Sequence, residues 1–263
     1  MTLDRRPSKA LSARAPRSEM GSVDLTRRLA AEALGTGFLL ATVVGSGIMG
    51  ERLSGGNGAI ALLANSLATA GVLYVLIEWF GPFSGAHFNP VVTVAMAARG
   101  DVGWAIVPAY IAVQIAGAIA GVAVADLMFE LPAFSWSHHV RTGPAQWLSE
   151  FVATFGLLGL IWVCSRTRPG AVGGLVGAYI GAAYWFTAST SFANPAVTIA
   201  RAMTDTFAGI RPIDAPEFVL SQALGAAMAI AVFGWLMPVR KPIVAGEREI
   251  GAEAERAHAR RSV

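Results

Sequence analysis

Six apolar runs, at residues 30–49, 59–80, 104–125, 146–163, 171–192 and 219–235, divide most of the chain. Most come close to the roughly 20 residues that carry an α-helix across a bilayer core. They predict an all-α, polytopic membrane protein. Composition agrees, because 54% of the residues are hydrophobic and only 14% are charged, where a soluble domain carries about 25%. The 29 glycines lie within the apolar runs as well as between them, as expected where helices approach closely in lipid.

A formal charge of +3 could suggest a nucleic-acid partner, but the basic residues cluster at the two ends of the chain, beside the spans. They read as topology determinants. Of the 20 Lys and Arg residues, 16 fall in the N-terminal tail, at Arg99, at Arg166 and Arg168, or in the C-terminal tail. The opposite side receives only Arg52, Arg141, Arg201 and Arg211. The positive-inside rule then predicts cytoplasmic termini, which an even number of spans also requires. Residues 1–26 read as a basic disordered cytoplasmic tail without the apolar core of a cleaved signal, residues 27–237 as the membrane domain, and residues 238–263 as a charged cytoplasmic tail. The single cysteine, Cys164, allows no internal disulfide and no zinc ligand set.

Residues 89–95 read NPVVTVA and residues 194–200 read NPAVTIA, identical at five of seven positions and 105 residues apart. Each copy follows the second of three spans, so repeats at 27–125 and 145–237 are inverted relative to each other. The apolar stretches behind the two boxes, 91–98 and 197–203, are too short to cross. They predict two re-entrant half-helices that meet near the midplane. Irregular backbone at that depth requires burial in protein or a water-filled cavity, so the boxes mark a polar pathway.

The chemistry of the boxes follows from helix capping. Pro90 and Pro195 suit the first helical position, where the missing amide would be unsatisfied anyway. Asn89 and Asn194 become N-caps whose side-chain oxygens accept from first-turn amides, which leaves each NH2 free to point into the cavity. The positive ends of both helix dipoles converge there, favouring an oxygen lone pair and opposing cations, protons included.

These boxes, with SGAHFNPVVT at 84–93, SFANPAVTIAR at 191–201, AEALGT at 31–36, and Tyr110, Gln114 and Gly117 in the third span, resemble the major intrinsic protein family of aquaporins and aquaglyceroporins. The resemblance covers roughly residues 27–237. It implies an aquaporin-like right-handed bundle of six transmembrane helices plus two half-helices, assembled as a homotetramer with one pore per subunit. The family's first box usually ends in Ala where this chain has Val91, a larger side chain that would narrow or repack the pore. The second box ends in Ala196. The family's narrowest filter commonly has an arginine directly after that box, where this chain has Val197. The other filter positions are similar to Thr69, Ala182 and Ser191. All four are uncharged and small or medium, which resembles bacterial members that pass neutral metalloid hydroxides, such as arsenous acid, and small polyols. Arg201, one turn beyond Val197, either swings back to supply the missing charge or snorkels to the interface. The second is favoured.

Glu32 and Glu150 occupy matching places in the first and fourth spans, and an intramembrane carboxylate is a functional hypothesis by default. Either they serve proton coupling in a secondary transporter or, as the resemblance implies, they support the loops by accepting from loop amides. The second reading is favoured, with His87 as a further loop-packing group. His138 and His139 read as residues of a solvated loop, with no metal ligand set around them. No Ser-His or metal pair falls within the spans, so no enzyme is expected, and no cofactor. The expectation is a passive channel for water, glycerol-like polyols and metalloid hydroxides in a cell inner membrane, with lipid and small neutral solutes as partners.

Overall fold

The computed structural model describes residues 23–238; the expectations for residues 1–22 and 239–263 lie outside them. Eight α-helices follow in order: α1 (Leu25–Leu53), α2 (Gly58–Ser84), α3 (Pro90–Arg99), α4 (Val107–Met128), α5 (Pro144–Thr167), α6 (Val172–Phe186), α7 (Pro195–Arg201) and α8 (Ala215–Leu236). No strand occurs among the described residues. Asp24 caps α1 by accepting from the Arg27 amide, and Asn57 caps α2 by accepting from the amides of Ala59 and Ile60. Five of these helices are individually long and apolar enough to cross a bilayer. At 1.5 Å per residue, α3 and α7 cannot cross.

Polarity is distributed inside out. Leu34, Leu67, Val75, Leu148 and Leu220 are exposed on the outer surface, whereas Glu32, Gln114, Glu150 and Gln222 are fully buried. Water-soluble proteins do the reverse. The inner helices pack through glycine: α1 crosses α4 where a Cβ on Gly117 would strike the carbonyl oxygen of Ala33, and α5 crosses α8 where a Cβ on Gly225 would lie 2.5 Å from that of Phe151. Gly117 and Gly225 are equivalent in the two repeats, so both halves use the same close approach.

The fifth apolar run divides in two. Helix α6 ends at Phe186 and residues 187–194 form a loop running to the second box, so the expected span at 171–192 is six residues too long. The change to Thr-Ala-Ser-Thr-Ser at 187–191 marks the break only weakly, because Ser and Thr are also accepted within packed membrane helices. Arg99 also differs from a free surface charge: it is buried, paired with Asp101, and donates to the Trp162 carbonyl and the Ser165 hydroxyl.

Candidate functional site

Helices α3 and α7 point their N-termini at each other in the middle of the bundle. Asn89 accepts from the amide of Val91 at 3.1 Å, and Asn194 from those of Ala196 and Val197 at 2.9 and 3.3 Å. Their amide groups are not left unbonded, as capping alone suggested. Asn89 Nδ2 donates to the carbonyl of Ala193, and Asn194 Nδ2 to that of Phe88, each at 2.8 Å. An NH2 carries two hydrogens, so each still has one for the cavity that both residues line.

The loops leading into the boxes are shaped alike. The third and first residues before each asparagine, Ala86 and Phe88 in one repeat and Ser191 and Ala193 in the other, have φ between 48° and 52°. Non-glycine residues seldom occupy this left-handed region. Two carboxylates hold them there. Glu32 accepts from the amides of His87 and Phe88, and Glu150 from those of Phe192 and Ala193, at 2.7–2.9 Å. In a planar trans peptide the carbonyl opposes its N–H, so the oxygens of Ala86, His87, Ser191 and Phe192 point away from the glutamates. All four residues line the cavity.

A further layer braces the carboxylates. Gln114 bridges Glu32 and Thr93 at 2.8 and 3.0 Å, and Gln222 bridges Glu150 and Thr198 at 2.7 and 2.8 Å. Thr93 and Thr198 donate in turn to the carbonyls of Asn89 and Asn194. Gln222 belongs to none of the sequence motifs, although its spacing from the second box nearly repeats that of Gln114 from the first. His87 contacts Thr93 through Nδ1 at 3.1 Å and lines the cavity as well.

The cavity encloses about 550 Å3 and runs along the bundle axis. One end is marked by Arg28, Asp101 and Ser165, and the other by Val197 and Arg201, with Asn89 and Asn194 between. Thr69, Ser191 and Val197 are all at its wall. Ala182 is not. It is exposed on the outer face of α6, where Ile180 and Tyr184 turn inward to line the cavity. Two residues advance a helix by about 200°, so a count slipped by two places selects the opposite face. Tyr184 Oη lies 3.2 Å from Thr69 Oγ1. Val91 is not at the cavity wall either: it and Val92 share an apolar cluster with Leu158 and Ala226, and of the two it is Val92 that lines the lumen. Arg201 does not snorkel. It is 2% exposed and lines the cavity.

The sequence matches the family described as Major intrinsic protein over residues 19–191. This chain belongs to the major intrinsic protein family. It is 56% identical over 225 residues to aquaglyceroporin AqpS of Rhizobium meliloti (strain 1021), covering 86% of this chain and 96% of that one. To aquaporin NIP3-1 of Oryza sativa subsp. japonica it is 37% identical over 167 residues, 61% of this chain and 51% of that one. The X-ray structure of the aquaglyceroporin from Plasmodium falciparum shares the fold, with a TM-score of 0.63 at 18% identity over 79% of this chain and 95% of that one. As a member of the major intrinsic protein family, the chain is a multi-pass membrane channel for small neutral solutes and not an enzyme.

Proposed function

We propose that this major intrinsic protein conducts water, glycerol-like polyols and neutral metalloid hydroxides such as arsenous acid, passively and without a cofactor. The observation that carries the reading is the lumen wall, which Asn89 and Asn194 line at the centre together with Ala86, His87, Ser191 and Phe192, whose carbonyls turn away from the glutamates, and with Val197 where the family commonly has arginine. A hydroxylated solute can exchange its hydration for these groups, oxygen toward Asn89 and Asn194 and hydrogens toward the carbonyls. The aquaglyceroporin name of the Rhizobium relative points to the same solutes. Thr69, Ser191, Val197 and Tyr184 form the filter in this reading. Glu32 and Glu150 are loop supports, since both oxygens of each already accept from loop amides or glutamine. A carboxylate so engaged is poorly placed to carry a coupled proton. The 16-to-4 distribution of Lys and Arg supports cytoplasmic termini in a cell inner membrane, and the family implies a homotetramer.

Stopped-flow light scattering on proteoliposomes, with each solute in turn, tests this. Flux of glycerol is expected to be non-saturable at low concentration and indifferent to a proton gradient. Accumulation of solute driven by that gradient would reject the passive reading in favour of a secondary transporter.

A further inference from the structure

We propose that this channel divides the work of its filter between two residues one helical turn apart, Val197 setting the bore and Arg201 setting the charge. The inference rests on the channel reading above. Residues i and i+4 share a helix face, and both residues line the cavity, Val197 in the first turn of α7 and Arg201 as its last residue. Along the axis they stand about 6 Å apart.

Arg201 is held rather than adrift. Its guanidinium carbon lies 3.5 Å from the centroid of the Phe192 ring, and its Nε donates to the carbonyl of Ala208. A flat cation stacked on an aromatic face is well fixed. Phe192 is itself locked, packed edge-on against Phe218 at 5.2 Å between centroids and carrying the Arg141 guanidinium at 5.2 Å. Arg141 differs in that its nitrogens reach the carbonyls of Gly209, Ser189 and Phe207 and the Thr190 hydroxyl. It serves as a structural clamp and does not line the cavity.

The terminal nitrogens of Arg201 make no hydrogen bond among the described residues, and no carboxylate there pairs with its charge. Burying a cation without a partner is costly unless something else solvates it. The water and solute of the lumen are what remains. Arg201 therefore presents two donors and a fixed positive charge to whatever passes. A short neutral side chain at Val197 keeps the passage wide, and the charge beside it repels cations in a low-dielectric setting.

The test uses the full-length protein in proteoliposomes, measuring potassium leak with an electrode alongside water and glycerol permeability. Arg201→Met is expected to raise potassium leak, relative to its own water flux, by about tenfold or more, and Arg201→Lys to remain tight. Arg201→His supplies a readout that a merely structural role would not move. Its leak should be low near pH 5, where imidazole is charged, and high near pH 8, where it is neutral, with the parent protein unaffected by pH. A conducting Arg201→Met channel as tight as the parent overturns the proposal. If Arg201→Met fails to insert, the decision passes to Arg201→His, and leak independent of pH in that variant overturns it. Failure of the channel reading looks different: the parent protein itself then fails to speed water or glycerol flux.

Discussion

Asn89 Nδ2 donates to the carbonyl of Ala193 across 104 residues of sequence. The bond ties one repeat to the other at the centre of the lumen, and Asn194 returns it to Phe88. Asn89→Asp replaces the donor with a carboxylate that only accepts. The Ala193 carbonyl then faces a negative charge. A buried group left unsatisfied costs about 1–3 kcal/mol, so the thermal midpoint should fall, and the added charge should admit cations where the helix dipoles had opposed them. Potassium leak and thermal stability of the purified variant check both halves; a tight, equally stable Asn89→Asp channel would contradict them.

Much of this architecture is legible in the sequence because two physical signals are strong: continuous apolar length for the spans, and Asn-Pro at the start of a short apolar stretch for the half-helices. What escapes depends on rotation and depth. Ala182 and Tyr184 both belong to an apolar helix, and only the three-dimensional phase of α6 tells which one meets the lumen. Residues 187–192 read on from the fifth apolar run although four of the six are Ser or Thr, because membrane helices accept those residues too and only the chain path shows where the helix stops. Arg201 reads as a snorkelling side chain since the Phe192 ring that receives it lies nine residues earlier in a loop whose path no periodicity reports.

Glu150→Gln tests the carboxylate braces. One oxygen of Glu150 accepts from Phe192, and the other from Ala193 and Gln222. The amide substituted there turns a donor toward at least one donor. The loss should expose the left-handed backbone at Ser191 and Ala193 to relaxation and lower both stability and water permeability. Hydrogen exchange at Phe192 and Ala193 reads it directly, and unchanged protection at those amides would contradict the assigned role.

Acid should loosen the loop over the Arg201 end of the bundle. Asp205 accepts from the backbone amide and from Nδ1 of His138, at 2.8 and 2.9 Å. The backbone bond first, and then the side-chain bond, hold its carboxyl below the ordinary value. A depressed carboxylate contributes stability that is fully present above the ordinary value of about 4 and lost as pH falls through the folded one. Hydrogen exchange at residues 135–140, corrected for intrinsic rates, should therefore stay slow at neutral pH and rise below that range. Asp205→Asn should remove the pH dependence.

Mercurials should inhibit the parent protein weakly. Cys164 is half-buried on α5 and absent from the cavity wall, although its neighbour Ser165 lines it. Ser191 lies at the cavity wall, with its hydroxyl buried and without a partner among the described residues. Ser191→Cys should therefore create strong block of water flux that a reducing thiol reverses. Strong block of the parent that disappears in Cys164→Ser would mean that the pathway passes Cys164 instead.

Val197→Arg tests the bore. The new side chain would stand one turn from Arg201 on the same face, and like charges at that spacing repel. With Arg201 stacked on Phe192, the added guanidinium has to turn into the lumen. Its planar fork takes up room that a three-carbon or three-hydroxyl solute needs. Water can still exchange bonds with its five donors. The ratio of glycerol to water permeability should fall, and arsenous acid flux should fall with it. Ala182→Trp supplies the control, because a large ring on the outer face of α6 leaves the lumen untouched. A ratio unchanged by Val197→Arg, or lowered equally by Ala182→Trp, would place the constriction elsewhere.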